Sequence, residues 1–283
     1  MIKYKAFKIA VILCGICVIA TATFIFGYVF FMGFHRIDIN FITDRPRGIP
    51  LGTEGGVFPA IMGTVYLGAL SGFIAGIVGS ITAIFLVFYC RNKFLKGIIV
   101  FSTYFLAGMP SILFGIVGYT ILIYMLGMPR SLLTAGITVS VMIVPFITIR
   151  IVKSFKEDIL DMMNSSLCLG LPKWYIIKKF ILPNYLINIM TSISLGMTYG
   201  AGAAAPIIFT GAVIFAETPG SITQPFMNLS YHLFILVNEG ISFENAYGSA
   251  LILMFLLLGI NIFCRILEHL REGADWRFGK GKQ

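Results

Sequence analysis

Six long apolar runs restrict the fold of this chain more than any other feature of its sequence. Each run can cross about 30 Å of hydrocarbon, since a helix rises about 1.5 Å per residue. No long segment shows the alternating pattern of a barrel strand, so helices are the predicted spanning structure. The predicted fold class is therefore an all-α membrane protein with six transmembrane helices. The predicted spans cover about residues 9–32, 57–89, 97–126, 131–149, 184–216 and 246–264.

The amino-acid composition agrees with this class. Hydrophobic residues make up 58% of the chain and charged residues only 12%, whereas soluble domains carry about 25% charged residues. A soluble core of this apolarity would leave too little polar surface to stay dissolved, so the lipid bilayer is the expected solvent. The first run extends to about residue 32 and is longer than the core of a cleaved signal peptide, which predicts an uncleaved span.

The distribution of Lys and Arg predicts the orientation in the membrane. Seventeen of the 21 lie in the N-terminus, the second polar loop, the segment 150–183 and the C-terminal tail. The remaining four lie in the loops on the other side. By the positive-inside rule, both termini are predicted to be cytoplasmic. The net charge of +9 needs no nucleic-acid partner, because the charges are split between loops and form no continuous basic patch.

The segment 150–183 is a charged island on the predicted cytoplasmic side, between the fourth and fifth spans. Its first half is compatible with a helix and stops at Gly170-Leu171-Pro172. The second half is predicted to be a helix that ends at Leu182-Pro183, because proline lacks an amide proton. The predicted apolar face of that helix consists of Ile176, Ile177, Phe180 and Ile181. A helix–glycine–helix insert of this kind suits docking on a soluble protein, and the alternative is an ordinary solvated loop.

Small residues and prolines mark special places inside the spans. Stripes of glycine at 68–76 and 196–200 recur every four residues and favour close helix packing. The third span contains Pro110, and the fifth is interrupted by residues 200–206, which are Gly- and Ala-rich and end in proline. Broken helices at membrane depth are typical of substrate pathways. A tight packing seam is the alternative for the second interruption.

Several chemical classes are disfavoured by what the sequence lacks. No ionisable residue lies in the middle of a predicted span, which argues against a proton-coupled secondary transporter. Cys14 and Cys17 form a C-x-x-C pair inside a hydrophobic run, with no histidine or carboxylate nearby, so no metal or redox cofactor is predicted. The sequence also has no Walker-type loop and no plausible Ser/His/Asp set. A membrane-embedded enzyme is disfavoured, and any energy source must come from another subunit.

Three phrases resemble the PstA-type phosphate permeases. Residues 55–64 read GGVFPAIMGT and resemble the family's "GG-x-F-P-A-I-x-G-T" at the second span. Residues 106–119 resemble "L-A-G-V-P-S-I-x-F-G-x-x-G-Y", and residues 206–212 are similar to "A-P-L-L-F-T-G-A". Leu169-Gly170 followed by Leu182-Pro183 is similar to the "E-A-A-x-x-x-G … L-P" loop of ABC importer permeases. The resemblance extends from about residue 55 to residue 261.

This resemblance implies a type I ABC importer permease fold in a bacterial inner membrane, conducting inorganic phosphate without a cofactor. It implies an N-terminal helix and external loop at 1–56, a permease core at 57–266 and a cytoplasmic tail at 267–283. The implied partners are a second permease of PstC type, ATP-binding subunits and an extracytoplasmic phosphate-binding protein. The implied ATPase-coupling residues are Asn164, Ser165, Ser166, Leu167, Gly170, Lys173, Leu182 and Pro183. The predicted pathway residues, at the broken spans, are Ser111, Thr198, Tyr199, Gly202, Ala203 and Thr210.

The chain departs from the family pattern where that pattern is ionisable. Asn164-Ser165-Ser166 replaces the Glu-Ala-Ala of the loop. Tyr199 replaces an arginine, and Ala203 replaces the glutamate of "G-E-T-A-P". Several explanations stay open: the partner permease supplies the charge, hydroxyls and helix ends handle the anion, or the cargo is another oxyanion such as molybdate or a phosphonate. A degenerate, purely structural permease subunit is a further alternative.

Overall fold

The computed structural model describes residues 2–155 and 157–277, and the side chains of residues 7–155, 159 and 162–266. Residues 278–283 of the predicted tail, and position 156 of the charged island, lie outside the described residues. The described α-helices are α1 (Ile2–Phe34), α2 (Ile39–Thr43), α3 (Phe58–Ile84), α4 (Lys93–Ala107), α5 (Ser111–Gly118), α6 (Leu132–Ser154), α7 (Glu157–Cys168), α8 (Lys173–Ile176), α9 (Leu182–Ala201), α10 (Ala205–Thr210), α11 (Leu229–Asn238) and α12 (Phe243–Arg277). Wider π-helical turns cover Phe85–Tyr89, Tyr119–Met125 and Ile177–Ile181, and two short strands are β1 (Pro46–Arg47) and β2 (Glu54–Gly55).

The predicted all-α membrane fold is confirmed. Within the described residues, five helical segments are long and apolar enough to cross a membrane. They are Phe7–Phe34, Phe58–Tyr89, Leu132–Ser154, Lys173–Ala201 and Phe243–Ile266. The remaining predicted span is a pair, Lys93–Ala107 and Ser111–Met125, bent by 103°. The count reaches six when this bent pair is taken as a single span.

The bend in the third span lies at Gly108-Met109-Pro110. Proline has no amide hydrogen, and it disfavours helical backbone in the residue before it. Helix α4 therefore ends at Ala107, and Pro110 precedes the first turn of α5 with extended backbone, at φ −57° and ψ 136°. The position of the break was predicted correctly from the sequence, and the structure shows that the two helices meet there at a bend of 103°.

Helices α3, α6 and α9 form the centre of the bundle, and glycines let them approach closely. A Cβ atom at Gly72 of α3 would overlap the side chain of Met197 of α9. One at Gly196 of α9 would lie 2.7 Å from the Cδ1 atom of Ile147 of α6. Both predicted glycine stripes are therefore packing surfaces, which is how helices associate in lipid.

The second half of the charged island differs from the prediction. Leu182-Pro183 does not end a helix, because Pro183 lies in the first turn of α9, where a missing amide costs nothing. The π-helical turn at Ile177–Ile181 separates this first turn from α8, so the chain stays helical from Lys173 to Ala201. On the predicted apolar face, Ile176, Ile177 and Ile181 are buried, but Phe180 is 42% exposed and does not share their packing.

The segment between α1 and α3 packs on the start of α12. Arg36 donates from Nε to Asn245 Oδ1, and Asn245 donates in turn to the carbonyls of Gly52 and Thr53. Strands β1 and β2 pair antiparallel beside these contacts. The predicted external loop is thus held to the opposite end of the chain by a buried asparagine.

Helix α11 is too short to cross a membrane and packs on α12 through a buried histidine. His232 Nδ1 lies 3.1 Å from Ser249 Oγ. Because Ser249 donates its own proton to the Asn245 carbonyl, Nδ1 must be the donor of that contact. Nε2 has no hydrogen-bond partner among the described residues. Burial lowers the pKa of His232 to about 4, which keeps the imidazole neutral.

Candidate functional site

A cavity of about 500 Å³ opens between helices α4, α5, α6 and α9. Its inner wall is apolar and includes Phe114, Met142 and Phe146. At one end, Arg150 and Lys153 of α6 line it, together with polar residues of α9. The cavity therefore has an apolar interior and a cationic mouth. Sequence reasoning missed Arg150 and Lys153 as cavity residues, since it counted both among the charges of the loop.

A second cavity of about 430 Å³ adjoins the first. Met142 and Tyr199 line both cavities, and the Tyr199 ring stacks on Phe146 with 5.9 Å between ring centroids. The structure brings together most of the predicted pathway residues in the lining of the second cavity. These are Ser111, Thr198, Tyr199, Gly202 and Ala203.

Thr210 is the predicted pathway residue that the structure places elsewhere. It is fully buried in α10, and its hydroxyl donates to the Pro206 carbonyl at 2.9 Å. Helix α10 packs against α5 and α6, so Thr210 lines neither of the two cavities. The chain turns at residues 202–204, and the short helix after the turn leads away from the cavity, so a pathway role for Thr210 stays a prediction without support from these two cavities.

The break between α9 and α10 is stabilised by hydrogen bonds from a residue that sequence reasoning missed. Asn228 is fully buried, and its Nδ2 donates to the carbonyls of Ala201 and Ala203 at 3.3 and 3.2 Å. Its Oδ1 accepts from the amide of Tyr231 and caps α11. Carbonyls at the end of a helix lack intrahelical partners, so Asn228 satisfies the groups that the break exposes. An N-cap signal before α11 was visible in the sequence, but the contact with α9 was not.

The second cavity has a mainly apolar lining that includes three hydroxyl-bearing side chains and no charged one among the described residues. Ser111 lies in the first turn of α5, where a helix carries partial positive charge. Tyr199 is 53% exposed. Thr198 donates its hydroxyl to the Ser194 carbonyl at 2.9 Å. That proton is therefore already used, whereas the hydroxyls of Ser111 and Tyr199 and the first amides of α5 can solvate an anion weakly without offering a compensating charge.

The charged island forms a helical hairpin whose turn is exposed. Helix α7 ends at Cys168, and Gly170 then adopts a left-handed backbone with φ +77°, which favours glycine. No atom lies within 4 Å of the position that a Cβ at Gly170 would take. Leu169 and Trp174 flank this turn, with 79% and 61% of their surfaces exposed. Two exposed apolar side chains beside one turn, surrounded by polar residues, offer apolar area to a partner.

The hairpin is anchored to the helix bundle at the end of the second span. Ile176, Ile177 and Ile181 are buried against Phe88 and residues of α7. Lys173 also reaches the end of the second span, where its Nζ donates to the Phe88 carbonyl at 3.3 Å. These contacts fix the position of the turn relative to the second span.

The predicted coupling residues are distributed over this hairpin. Asn164, Ser165 and Gly170 are exposed, and Ser166, Leu167 and Lys173 are half-buried. Leu182 and Pro183 lie apart from the turn, in the first turn of α9. Sequence reasoning did not select Leu169 and Trp174, although both stand beside residues that it did select.

A family model matches most of this chain. Residues 77–270 match the model described as "Binding-protein-dependent transport system inner membrane component". The matched range contains helices α6 and α9, which line both cavities, and the whole helical hairpin.

Curated relatives are similar over most of their length. The chain is 26% identical over 257 residues to the phosphate transport system permease protein PstA of Mycobacterium leprae, covering 87% of this chain and 79% of that protein. It is 23% identical over 271 residues to a Bacillus subtilis protein named as a probable ABC transporter permease, YqgI, covering 90% and 91%. Among solved structures, the methionine ABC transporter MetNI in an inward-facing conformation has a similar fold, with a TM-score of 0.59 and 15% sequence identity. That match covers 72% of this chain and 91% of the other.

Proposed function

The chain belongs to the family of binding-protein-dependent transport system inner membrane components, and from that premise we propose that it conducts inorganic phosphate. It is a permease component of an ABC importer, and ATP hydrolysis belongs to separate subunits. Such a component works in the membrane with another permease, ATP-binding subunits and a binding protein. The phosphate cargo, a second permease of PstC type and cytoplasmic termini are parts of the proposal.

The observation that carries the phosphate assignment is the pair of adjoining cavities. The five predicted pathway residues that line the second cavity were chosen from family phrases and helix breaks, and they lie around one space. The relatives named as phosphate permeases support the same cargo. An anion cannot leave water without replacement donors, because an isolated buried charge is very costly. Hydroxyls and helix-end amides supply such donors in the second cavity, and Arg150 and Lys153 supply charge at the mouth of the first.

We further propose that the helical hairpin docks on an ATP-binding subunit. Gly170 lies at an exposed turn, Leu169 and Trp174 offer apolar contact area beside it, and the buried isoleucines connect the hairpin to the bundle. A rigid connection of this kind can transmit a movement of the ATP-binding subunit to α9. The loop lacks the family's glutamate at Asn164, so apolar contacts carry more of the interaction here.

The direct test of the cargo is uptake of labelled phosphate into vesicles that contain all the subunits, with ATP supplied on the side of the ATP-binding subunits. We expect ATP-dependent uptake that unlabelled phosphate competes away. Competition by molybdate or a phosphonate, but not by phosphate, would reassign the cargo. Assembly without any uptake would favour the structural-subunit alternative.

The proposed topology has a separate test. Single cysteines introduced at Gly220 and Lys173, in a variant without the native cysteines, are expected to react with impermeant reagents from opposite sides. Labelling of both from the same side would contradict the proposed orientation.

A further inference from the structure

A third cavity of about 280 Å³ lies between helices α6, α9 and α12. Its polar lining consists of Arg150, Thr191, Ser194, Asn261 and Arg265. We propose that this cavity binds a phosphate group, as a tetrahedral oxyanion held by two guanidinium groups and by hydroxyl donors. The site is distinct from the predicted pathway residues, none of which lines it.

The charge of the cavity is the first argument. Arg150 and Arg265 enter it from two different helices, and both side chains are exposed. No ion pair joins either of them to a carboxylate among the described side chains. Guanidinium groups match phosphate oxygens in charge and in fork geometry, and such charge-assisted hydrogen bonds are among the strong ones. Two of them around one space favour an anion as occupant.

The hydroxyls of α9 are the second argument, and they are independent of the first. Ser192 and Thr198 donate to the carbonyls four residues before them, as hydroxyls in a helix usually can. The hydroxyls of Thr191 and Ser194 do not donate to the carbonyl four residues before them. Their buried oxygens have no hydrogen-bond partner among the described residues. Ser194 is only 4% exposed, so its unused donor is costly unless a ligand or water meets it. Both unused hydroxyls line the cavity that the two arginines enter.

The cavity also continues the predicted path. Thr198 lines the second cavity, and its Oγ1 lies 3.4 Å from Oδ1 of Asn261, which lines the third. Arg150 lines both the first cavity and the third. An anion from the uncharged second cavity would therefore meet hydroxyls first and the two arginines last. In this form the inference rests on the proposed function, although the bound phosphate group could equally belong to an anionic phospholipid.

The test measures binding, not transport. Equilibrium binding of radiolabelled inorganic phosphate is measured on the assembled complex in phosphatidylcholine nanodiscs, without nucleotide and without the binding protein. We expect saturable binding that Arg265→Gln weakens about tenfold, since one charge-assisted hydrogen bond is worth about that factor. Ser194→Ala should weaken it several-fold. The matched control is Arg91→Gln, which removes a cation from another exposed loop and lines none of the three cavities.

A second arm identifies a lipid source. Native mass spectrometry of complexes purified in mild detergent would show an anionic phospholipid retained by the wild type and by Arg91→Gln but lost from Arg265→Gln. A positive result in either arm supports the site, and the arm that gives the positive result identifies the occupant as inorganic phosphate or as an anionic phospholipid. Phosphate binding that Arg265→Gln and Ser194→Ala leave unchanged, together with no retained anionic lipid, would overturn the inference. Neither arm needs transport, so this test can be interpreted even if the phosphate uptake assay fails. Normal phosphate uptake without phosphate or lipid binding at this cavity would refute the inference and leave the proposed function intact.

Discussion

Substitutions at Gly170 can separate docking of the helical hairpin from its folding. Gly170 has φ +77°, and a Cβ there would meet no atom within 4 Å. Alanine would therefore cost about 1–2 kcal/mol through backbone strain alone, while asparagine, which tolerates this region, would cost less. Tryptophan carries a similar backbone strain, and its Cβ likewise meets no atom of this subunit within 4 Å. We therefore expect a loss beyond that of alanine to come from a partner that occupies the space.

The size of that extra loss follows from interface packing. Protein interfaces are packed at their centre like protein interiors, and overpacking costs about 1–3 kcal/mol. At 1.4 kcal/mol for each factor of ten, docking should weaken roughly 5- to 150-fold in Gly170→Trp relative to Gly170→Ala. The assays are co-purification of the ATP-binding subunits, and ATP hydrolysis compared with uptake in vesicles. We expect Gly170→Trp to lose the subunits, or to hydrolyse ATP without uptake.

A matched control is available in the same chain. Gly127 has φ +67°, and a Cβ there also meets nothing within 4 Å, but it lies on the opposite predicted side of the membrane. Gly127→Trp should retain the ATP-binding subunits as well as Gly127→Ala does. If Gly170→Trp and Gly170→Ala behave alike in co-purification and in coupling, the docking surface is not at this turn.

Three further predictions concern the cavities and the packing around them. Tyr199→Arg combined with Ala203→Glu restores the family pattern in the second cavity, and is expected to change the rate or selectivity of uptake per assembled complex; an effect on assembly alone would make this region a packing seam. Asn228→Ala and Asn228→Asp both remove the amide that holds the Ala201 and Ala203 carbonyls, but the aspartate retains the cap of α11. We expect both to lower uptake, with a stability loss of about 1–3 kcal/mol for the alanine; full uptake by the aspartate would show that only the cap matters. His232 is neutral in the fold, with its pKa lowered from 6.5 to about 4, so stability present above pH 6.5 is lost as the pH falls toward 4, by about 3 kcal/mol in total. Thermal unfolding of the purified complex should show this dependence, and His232→Gln should reduce it.

The sequence predicted those parts of the fold that the membrane itself dictates. A lipid environment forces backbone groups to bond within their own helix, so long apolar runs translate directly into spans. Proline and glycine act on local backbone, so the breaks at Pro110 and at residues 202–204 could also be placed. The five predicted pathway residues around these breaks line one cavity because both breaks face it.

The errors arise where the outcome depends on contacts distant in sequence or on a change of helix type. Pro183 was expected to end a helix, but a π-helical turn before it lets α9 begin there. Thr210 lies apart from the other predicted pathway residues, because it follows a turn whose direction the sequence does not encode locally. Asn228 acts on carbonyls more than twenty residues away, and Arg150 serves a cavity as well as the end of its helix. No local periodicity carries such information.

If the three cavities form the proposed path, the placement of charge along them accounts for a path that lacks the family's ionisable pair and still suits an anion. A strongly charged group at the middle of a path would bind the anion tightly and slow its departure, whereas hydroxyls and helix-end amides bind it weakly. The arginines lie instead at one end, at the mouth of the first cavity and in the third. There the cost of desolvation is lower, since both side chains are exposed. On the proposed path, the replacement of charge by Tyr199 and Ala203 would move the step of strongest binding from the centre toward that end, which is the side of the helical hairpin.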